Sequence, residues 1–389
     1  MAAGYSLEFY TAGRIRFGND SVDELADLVP EMGRRALLVT GARFARESGL
    51  LARLRASFPV GAVAECGREP HVEDVDRAVA AAQEAGCDVV VAVGGGAVLD
   101  CGKAAAGMMT NPGGLADYLE GVGSGREITE PAAPMIAVPT TAGTGSEVTK
   151  NAVITGPGYK KSVRSPLLIP RIAVVDPRLT YSMPPEGTAA CGMDALAQLI
   201  EPYLSRNAEP LTDAFALTGI RAAARGLEAA WEDPLDEEAR ENMALASLLG
   251  GICLANAGLG AVHGFAAPLG ALFPIPHGIA CAAMLVPVIE GNLEAARGTA
   301  VEDRVWSRFA RVAVALTGRA ASDRLLTVEA GLDFLRELTR RLRLPRLGAF
   351  GVGEAEVEAV VAGARGSSMR YNPVDLADAE LADILRSAL

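Results

Sequence analysis

Short apolar runs alternate with helical patterns through the first half of the chain, and this alternation restricts the fold more than any other feature. The runs at 35–40, 60–66 and 87–93 are rich in β-branched and other apolar residues, as in strands buried on both faces. Amphipathic patterns over 44–58 and 72–85 separate them. Strand–helix–strand alternation at this spacing predicts a doubly wound α/β domain. Further strands are predicted at 135–138, 151–155 and 172–175.

The texture of the chain changes after Pro184. Strand patterns give way to long helical patterns rich in Ala and Leu, at 188–205, 210–232, 237–256, 304–316 and 327–342. The linker RLTYSMPPEG contains two prolines and has no apolar period. We therefore place a domain boundary near Leu179, with an α/β dinucleotide-binding domain at 1–178 and an all-α metal and substrate domain at 179–389.

Charge and cysteine usage narrow the class of function. The net charge of −12 and the pI of about 4.9 argue against nucleic acid or an anionic membrane as partner. The six cysteines form no CxxC pair, which indicates reduced thiols in the cytoplasm. The first eighteen residues lack the apolar core of a signal peptide. No membrane span is expected, because we find no apolar stretch of about 18 residues free of charge.

A triple glycine follows the strand predicted at 87–93. Gly94, Gly95 and Gly96 let the backbone approach a ligand, and the next helix, with Asp100 and Lys103, points its free N–H groups at that ligand. This arrangement suits a diphosphate. The spacing differs from GxGxxG, and a tight turn without a ligand is the alternative interpretation.

A second glycine-rich turn, PTTAGTGSEVT at 139–149, follows the strand predicted at 135–138. Its hydroxyls and backbone amides suit phosphate or ribose oxygens. The side chains concerned are those of Thr140, Thr141, Thr144 and Ser146.

Two of the chain's three histidines, His263 and His277, lie in the apolar segment 260–278. A buried imidazole needs a partner for each ring nitrogen, and that partner is either a backbone group or a divalent metal. Asp194 and Gln198 are four residues apart in a predicted helix and share one face. One carboxylate with two imidazoles leaves an open position, as in catalytic metal sites.

Four motifs in this order resemble the iron-containing (group III) alcohol dehydrogenases: GGGxxxDxxK at 94–103, PTTAGTGSEVT at 139–149, GMDAL at 192–196, and HGxxxPLG with PHG at 263–278. The resemblance implies NAD(P)-dependent hydride transfer between a small alcohol and its aldehyde or ketone. It implies that Asp194, His263 and His277 are catalytic metal ligands, with cofactor contacts at both turns. The predicted cofactor residues are Gly41, Arg43, Gly94, Gly95, Gly96, Asp100, Lys103, Thr140, Thr141, Thr144, Ser146, Lys161 and Leu179.

The chain departs from that family at two positions. Gln198 stands where most members have a histidine, and Ala267 replaces a second histidine. Gln198, kept as a candidate ligand, binds iron(II) more weakly than imidazole does. Glycerol dehydrogenase and dehydroquinate synthase, of the same fold, commonly hold zinc with one acid and two histidines, so both Fe²⁺ and Zn²⁺ remain open. Gly41 with Arg43, where an acidic residue would select NAD(H), favours NADP(H).

The substrate is less defined by the sequence. The predicted substrate contacts are Lys150, Asn151 and Ala267. Further cations in predicted loops favour an anionic aldehyde as substrate. The alternative is that these cations are solvated loop residues with no contact to the substrate. We predict a metal-dependent alcohol dehydrogenase or aldehyde reductase acting on small molecules, and expect a homodimer. A dehydroquinate-synthase-like lyase and a non-catalytic family member are the competing hypotheses.

Overall fold

A computed structural model describes residues 7–67, 69–156 and 159–389. The prediction about a signal peptide falls partly on residues 1–6, outside the described residues. The amino-terminal half contains β1 (Arg14–Phe17), α1 (Leu25–Met32), β2 (Ala36–Thr40), α2 (Phe44–Glu47), α3 (Leu50–Ser57), β3 (Val60–Glu65), α4 (Val72–Ala85), β4 (Val89–Gly94), α5 (Gly96–Met108), β5 (Met135–Pro139), β6 (Asn151–Gly156), β7 (Tyr159–Arg164) and β8 (Ile172–Val175).

Six of these strands form one parallel sheet in the order β1-β8-β5-β4-β2-β3. Successive β2 side chains pack on opposite faces: Leu37 lies in the core with α4 and α5, and Leu38 in the core with α1 and α3. Helices therefore cover both faces, and the predicted doubly wound α/β domain is confirmed. The helix predicted over 44–58 is interrupted at Gly49, whose φ of +75° is left-handed.

The strand predicted at 151–155 exists, but β6 lies outside the main sheet. It pairs antiparallel with β7, whose sequence YKKSVR carries too little apolar character to indicate a strand. Buried residues alternate along β6, so only one of its faces is covered. The hairpin of β6 and β7 contacts α5 on one side and α9 on the other, and so lies between the two halves of the chain.

The carboxyl-terminal half is helical, as predicted from residue 184 onward. It contains α6 (Pro185–Leu204), α7 (Pro210–Glu232), α8 (Glu237–Ala257), α9 (Ala261–Leu272), α10 (His277–Ala296), α11 (Glu302–Thr317), α12 (Arg324–Arg341), α13 (Val357–Ala364) and α14 (Asp378–Ser387). These helices enclose one continuous apolar core, and α6 lies within it with most of its residues buried.

The premise that the sequence has no apolar stretch of about 18 residues free of charge was wrong. Residues 242–289 contain no Asp, Glu, Lys or Arg, and α10 within this stretch is long and apolar enough to span a membrane by composition. Helices α8 and α9, bent by 102° at their junction, would together meet the same test. Two thirds of the apolar window of α10 is buried inside the fold, which is typical of a core helix.

Backbone contacts between glycines join the α/β half to the helical half. Gly145, in the second glycine-rich turn, has a φ of +58° and lies against Gly251 of α8. A Cβ atom built on Gly251 would lie 2.2 Å from the Gly145 carbonyl oxygen. In the same turn, a Cβ on Gly143 would lie 3.0 Å from the Cβ of Cys191 in α6. Only glycine allows the turn to approach both helices this closely.

A network of buried polar side chains packs against the second glycine-rich turn. The Lys103 ammonium, fully buried, donates to Thr149 Oγ1 at 2.8 Å and to the Asn151 carbonyl, and pairs with Asp100 at 3.0 Å. Glu147 is 1% exposed, and its Oε2 has no hydrogen-bond partner among the described residues. Burial raises the pKa of Glu147 to about 7, although the charge of Lys103 opposes this shift.

We predict that Gly251→Ala destabilises the protein by about 1–3 kcal/mol, because a methyl group would collide with backbone that cannot rotate away. Gly250→Ala is the matched control: its Cβ would find ordinary contacts, the nearest at 3.4 Å from Ala195 O and Gln198 Cβ. Thermal denaturation compares the two variants. Equal melting temperatures would contradict a close glycine contact at the junction.

We predict that Glu147→Gln changes the pH dependence of stability. Glu147 has a higher pKa in the folded protein than in the unfolded chain. The free energy of unfolding of the wild type is therefore not reduced by this group below the unfolded pKa near 4.5, and it falls as pH rises towards about 7. The glutamine variant lacks this loss, so its advantage over wild type should grow by up to about 3 kcal/mol between pH 4.5 and 8. Chemical denaturation across this range measures it, with exposed Glu84→Gln as control. A pH-independent difference would contradict the raised pKa.

Candidate metal centre and cofactor cleft

Helix α6 presents three polar side chains on one buried face. Asp194, Gln198 and Glu201 follow at i, i+4 and i+7, and each is at most 6% exposed. Gly192 lets α6 pack closely against α7, because a Cβ at this position would lie 2.1 Å from the Leu227 side chain of α7. Polar groups at this depth need partners from neighbouring helices.

Helix α9 brings His263 to this face. Its Nε2 lies 3.2 Å from Asp194 Oδ1, and its Nδ1–H donates to Glu201 Oε2 at 2.6 Å. The other Glu201 oxygen accepts the Val262 N–H at 2.6 Å, which fixes the start of α9. A carboxylate on one ring nitrogen orients the other, as in carboxylate–histidine–metal arrangements. Glu201 was not among the predicted site residues, although an acid seven residues after Asp194 in an apolar helix was a usable signal.

Helix α10 begins with His277 and approaches α6 through Gly278. A Cβ on Gly278 would lie 2.2 Å from the Ala190 carbonyl oxygen, so only glycine permits this approach. His277 Nε2 lies 3.6 Å from Asp194 Oδ1. The His277 side chain is 38% exposed and that of His263 is 6% exposed, so the site opens on the His277 side.

The electrostatics keep Asp194 ionised. Burial by itself raises the pKa of its carboxyl group, but the nearby charges of His277 and His263 outweigh it, and the pKa falls to about 2. The Gln198 amide also hydrogen-bonds this carboxylate and lowers its pKa. Asp194 is therefore an anionic donor at neutral pH.

These residues fit a divalent metal. One donor atom from each of Asp194, His263, His277 and Cys281 lies within 4.8 Å of the others, in a largely buried group. Gln198 Oε1 is buried with no hydrogen-bond partner in the part of the chain that the structure describes. An orphaned buried oxygen on the residue one helical turn after Asp194 is consistent with a missing cation. Cys281 was not among the predicted site residues, although it follows His277 by one helical turn.

The two glycine-rich turns lie side by side at the carboxyl edge of the sheet. Gly94 and Pro139 are paired residues of β4 and β5, and the Thr140 N–H donates to the Gly94 carbonyl at 2.9 Å. Cβ atoms on Gly95 and Gly96 would meet Thr141 and Thr144 at 3.3 and 2.7 Å. The structure thus brings these predicted cofactor residues together.

Gly41 and Gly95 follow adjacent strands at the same edge. β2 and β4 pair directly, with Thr40 beside Val93, whereas the chain runs from β2 to β3 on the opposite side. Ligands of doubly wound sheets bind at such a switch point. Helix α5 starts there, and its first N–H groups lack intrahelical partners.

Other predicted cofactor residues lie elsewhere. The Lys103 side chain is fully buried and its ammonium has three protein partners, so its contact with the cofactor stays a prediction. Asp100 accepts hydrogen bonds from the Ser146 hydroxyl at 2.5 Å and the Val153 N–H at 2.9 Å, so both side chains brace the turn. The Leu179 side chain packs in the core beside α1 and α3, and Lys161 is exposed on β7.

The predicted substrate residues lie at the start of the β6–β7 hairpin and on α9. Lys150 is half-buried with its ammonium 4.5 Å from the centre of the Tyr10 ring. Asn151 Oδ1 is buried and has no hydrogen-bond partner among the described residues. Ala267 is exposed on α9, one helical turn after His263.

Comparison with known proteins agrees with this geometry. The family model "Iron-containing alcohol dehydrogenase" matches residues 12–177, and the model of the carboxyl-terminal part of the same family matches residues 188–389. Long-chain-alcohol dehydrogenase 1 of Geobacillus thermodenitrificans is 34% identical over 382 residues, which cover 95% of this chain and 94% of that protein.

Solved structures show the same fold. The crystal structure of a 1,3-propanediol oxidoreductase superposes with a TM-score of 0.90 at 32% identity, covering 99% of this chain and 100% of the other. A sulfoacetaldehyde reductase from Bifidobacterium kashiwanohense, in complex with NAD⁺, gives a TM-score of 0.88 at 30% identity, covering 99% of both chains. These likenesses support the dehydrogenase hypothesis over the lyase. The chain belongs to the iron-containing alcohol dehydrogenase family, the NAD(H)- and metal-dependent oxidoreductases that interconvert alcohols and carbonyl compounds.

Proposed function

We propose that Asp194, His263 and His277 hold a divalent metal, at which a small aldehyde is reduced or its alcohol oxidised by NADP(H). The observation that carries this proposal is the convergence of a buried carboxylate and two imidazoles from three different helices. The cleft that would hold the cofactor lies close to these three residues, because the second glycine-rich turn contacts α6 at Cys191, three residues before Asp194.

Each residue has a distinct part in the proposed reaction. A bound divalent metal would act as a Lewis acid that polarises the carbonyl group. Glu201 holds the His263 ring in the orientation that presents Nε2. The unpartnered Asn151 Oδ1 is suited to accept a hydrogen bond from a hydroxyl group of the substrate or cofactor. Ala267 has no group that could donate a proton, so the proton for the alcohol product would have to come from solvent or from a bound group.

The substrate class includes anionic aldehydes. One structural neighbour is named for sulfoacetaldehyde, an anionic aldehyde. Two of the cations predicted to lie in loops are in β7 and are paired: Lys160 with Glu69, and Arg164 with Glu120. Lys150 contacts an aromatic ring instead of a carboxylate, and burial lowers the pKa of its ammonium. We therefore propose small aldehydes as substrates, with Lys150 as the contact for those that carry an anionic group.

We also propose a cytoplasmic homodimer without nucleic-acid or membrane partners. The acidic net charge and the six cysteines, which form no disulfide within the described residues, support a cytoplasmic location. The outer edge of β1 is unpaired within the described residues and largely exposed, which leaves a strand for pairing. Light scattering at the monomer mass of 40.2 kDa would contradict a dimer.

Metal removal tests the proposed centre. We expect chelator-treated protein to lose aldehyde reduction, and zinc or iron(II) added back to restore it. Asp194→Asn should lower kcat/KM by at least about a hundredfold, because the Lewis acid that it holds supplies several kcal/mol. The assay follows NADPH oxidation over uncharged and anionic aldehydes. Full activity in metal-free protein would contradict the proposal.

Arg43 tests the choice of nicotinamide cofactor. It is exposed at the start of α2, next to Gly41, and its guanidinium makes no ion pair with another described residue. The neighbouring carboxylate of Glu65 is paired with Arg46 and is therefore less able to repel a 2′-phosphate. We expect Arg43→Ala to weaken NADPH binding about tenfold or more and to leave NADH binding unchanged. A wild-type preference for NADH would refute this assignment.

A further inference from the structure

We propose that Cys281 is a fourth protein ligand of the metal, bound through its thiolate, and that this ligand makes the centre prefer zinc to iron(II). The proposal rests on the metal centre proposed above and adds to it the identity of one ligand and the class of metal.

The donor separations match a tetrahedral ion. Cys281 Sγ lies 3.7 Å from Nε2 of His263 and 3.7 Å from Nε2 of His277. Asp194 Oδ1 lies 3.2 and 3.6 Å from the same two nitrogens. Zinc bonds of about 2.0–2.1 Å to nitrogen or oxygen and about 2.3 Å to sulfur give tetrahedral edges of about 3.3 Å and about 3.6 Å. Four separations thus agree with one ion among these atoms.

The position of Cys281 in the fold supports the same role. It follows His277 by four residues in α10, so both side chains lie on one helix face. Its side chain is fully buried, and its sulfur contacts both imidazoles instead of a purely apolar surface. A weak S–H···N hydrogen bond would also fit 3.7 Å, but a thiol held in that way would give no thiolate-to-metal charge transfer.

The α6 side of the centre gives a reason for a thiolate. Gln198 occupies the position one turn after Asp194, and its amide hydrogen-bonds the Asp194 carboxylate. The helix therefore offers no imidazole there, and the donor set gains a sulfur from α10. Soft thiolate ligands favour zinc, whereas oxygen and imidazole donors hold iron(II). Zinc can expand to five ligands during catalysis, so four protein donors do not prevent turnover.

Cobalt substitution tests the proposal on the full chain. Metal is removed with a chelator under reducing conditions, and Co²⁺ alone is added. We expect a thiolate-to-cobalt charge-transfer band in the near ultraviolet that Cys281→Ser abolishes. Cys253→Ser is the matched control: its buried thiol on α8 contacts the Thr212 carbonyl, away from these ligands, so the band should remain. Chelator competition should show zinc affinity lowered at least about tenfold in Cys281→Ser.

The outcomes separate this proposal from the metal centre itself. Visible cobalt bands without charge transfer in the wild type would overturn thiolate ligation and leave the centre formed by Asp194 and the two histidines. A charge-transfer band that survives Cys281→Ser would also overturn it. No cobalt binding by the wild type would overturn both proposals. A charge-transfer band lost only in Cys281→Ser, with weakened zinc binding, would establish Cys281 as a ligand.

Discussion

The contact of the Asp194 carboxylate with the Nε2 atoms of two imidazoles joins α6, α9 and α10 inside an otherwise apolar core. Burying an ionised carboxylate is costly unless cationic or hydrogen-bonding groups surround it. The Gln198 amide and the His263 ring supply such groups, and Glu201 fixes the far side of that ring. The buried polar side chains of this region therefore lie together, where faces of α6, α9 and α10 meet.

Close backbone packing holds the helices and the cofactor turn in place around that point. Gly278 lets α10 reach α6, and Gly192 lets α6 settle against α7. Gly145 and Gly251 bring the second glycine-rich turn onto α8. Close-packed interiors transmit small displacements, so a methyl group at one of these glycines would move donor atoms relative to the cleft as well as strain the packing. The motifs that resemble the family are in part packing motifs.

Periodicity in the sequence was sufficient to predict most of the architecture. Helices at 72–85 and 210–232 and the strand at 172–175 have the predicted ends, because apolar spacing and flanking Gly or Pro define them locally. β7 was missed because its polar sequence becomes a strand only by pairing with β6. The sequence also does not show that the Lys103 ammonium is buried among three protein partners.

The metal site was predicted only in part, because some of its contacts depend on tertiary structure. Asp194, His263 and His277 could be named because so few histidines occur and because the family motifs carry them. Spacing in the sequence places Glu201 on the helix face of Asp194 and Cys281 on that of His277. Helix packing shows that Glu201 contacts His263 and that Cys281 contacts both imidazoles. Contacts between distant segments are the information that local sequence patterns lack.

Anomalous diffraction from crystals of the protein, purified without added metal and measured on both sides of the zinc and iron absorption edges, tests the central claim most directly. We expect one strong peak about 2.0–2.3 Å from Asp194 Oδ1 and from the Nε2 atoms of His263 and His277. A site that stays without a peak after zinc and iron(II) soaks, with both imidazoles still hydrogen-bonded to Asp194 alone, would contradict the metal centre.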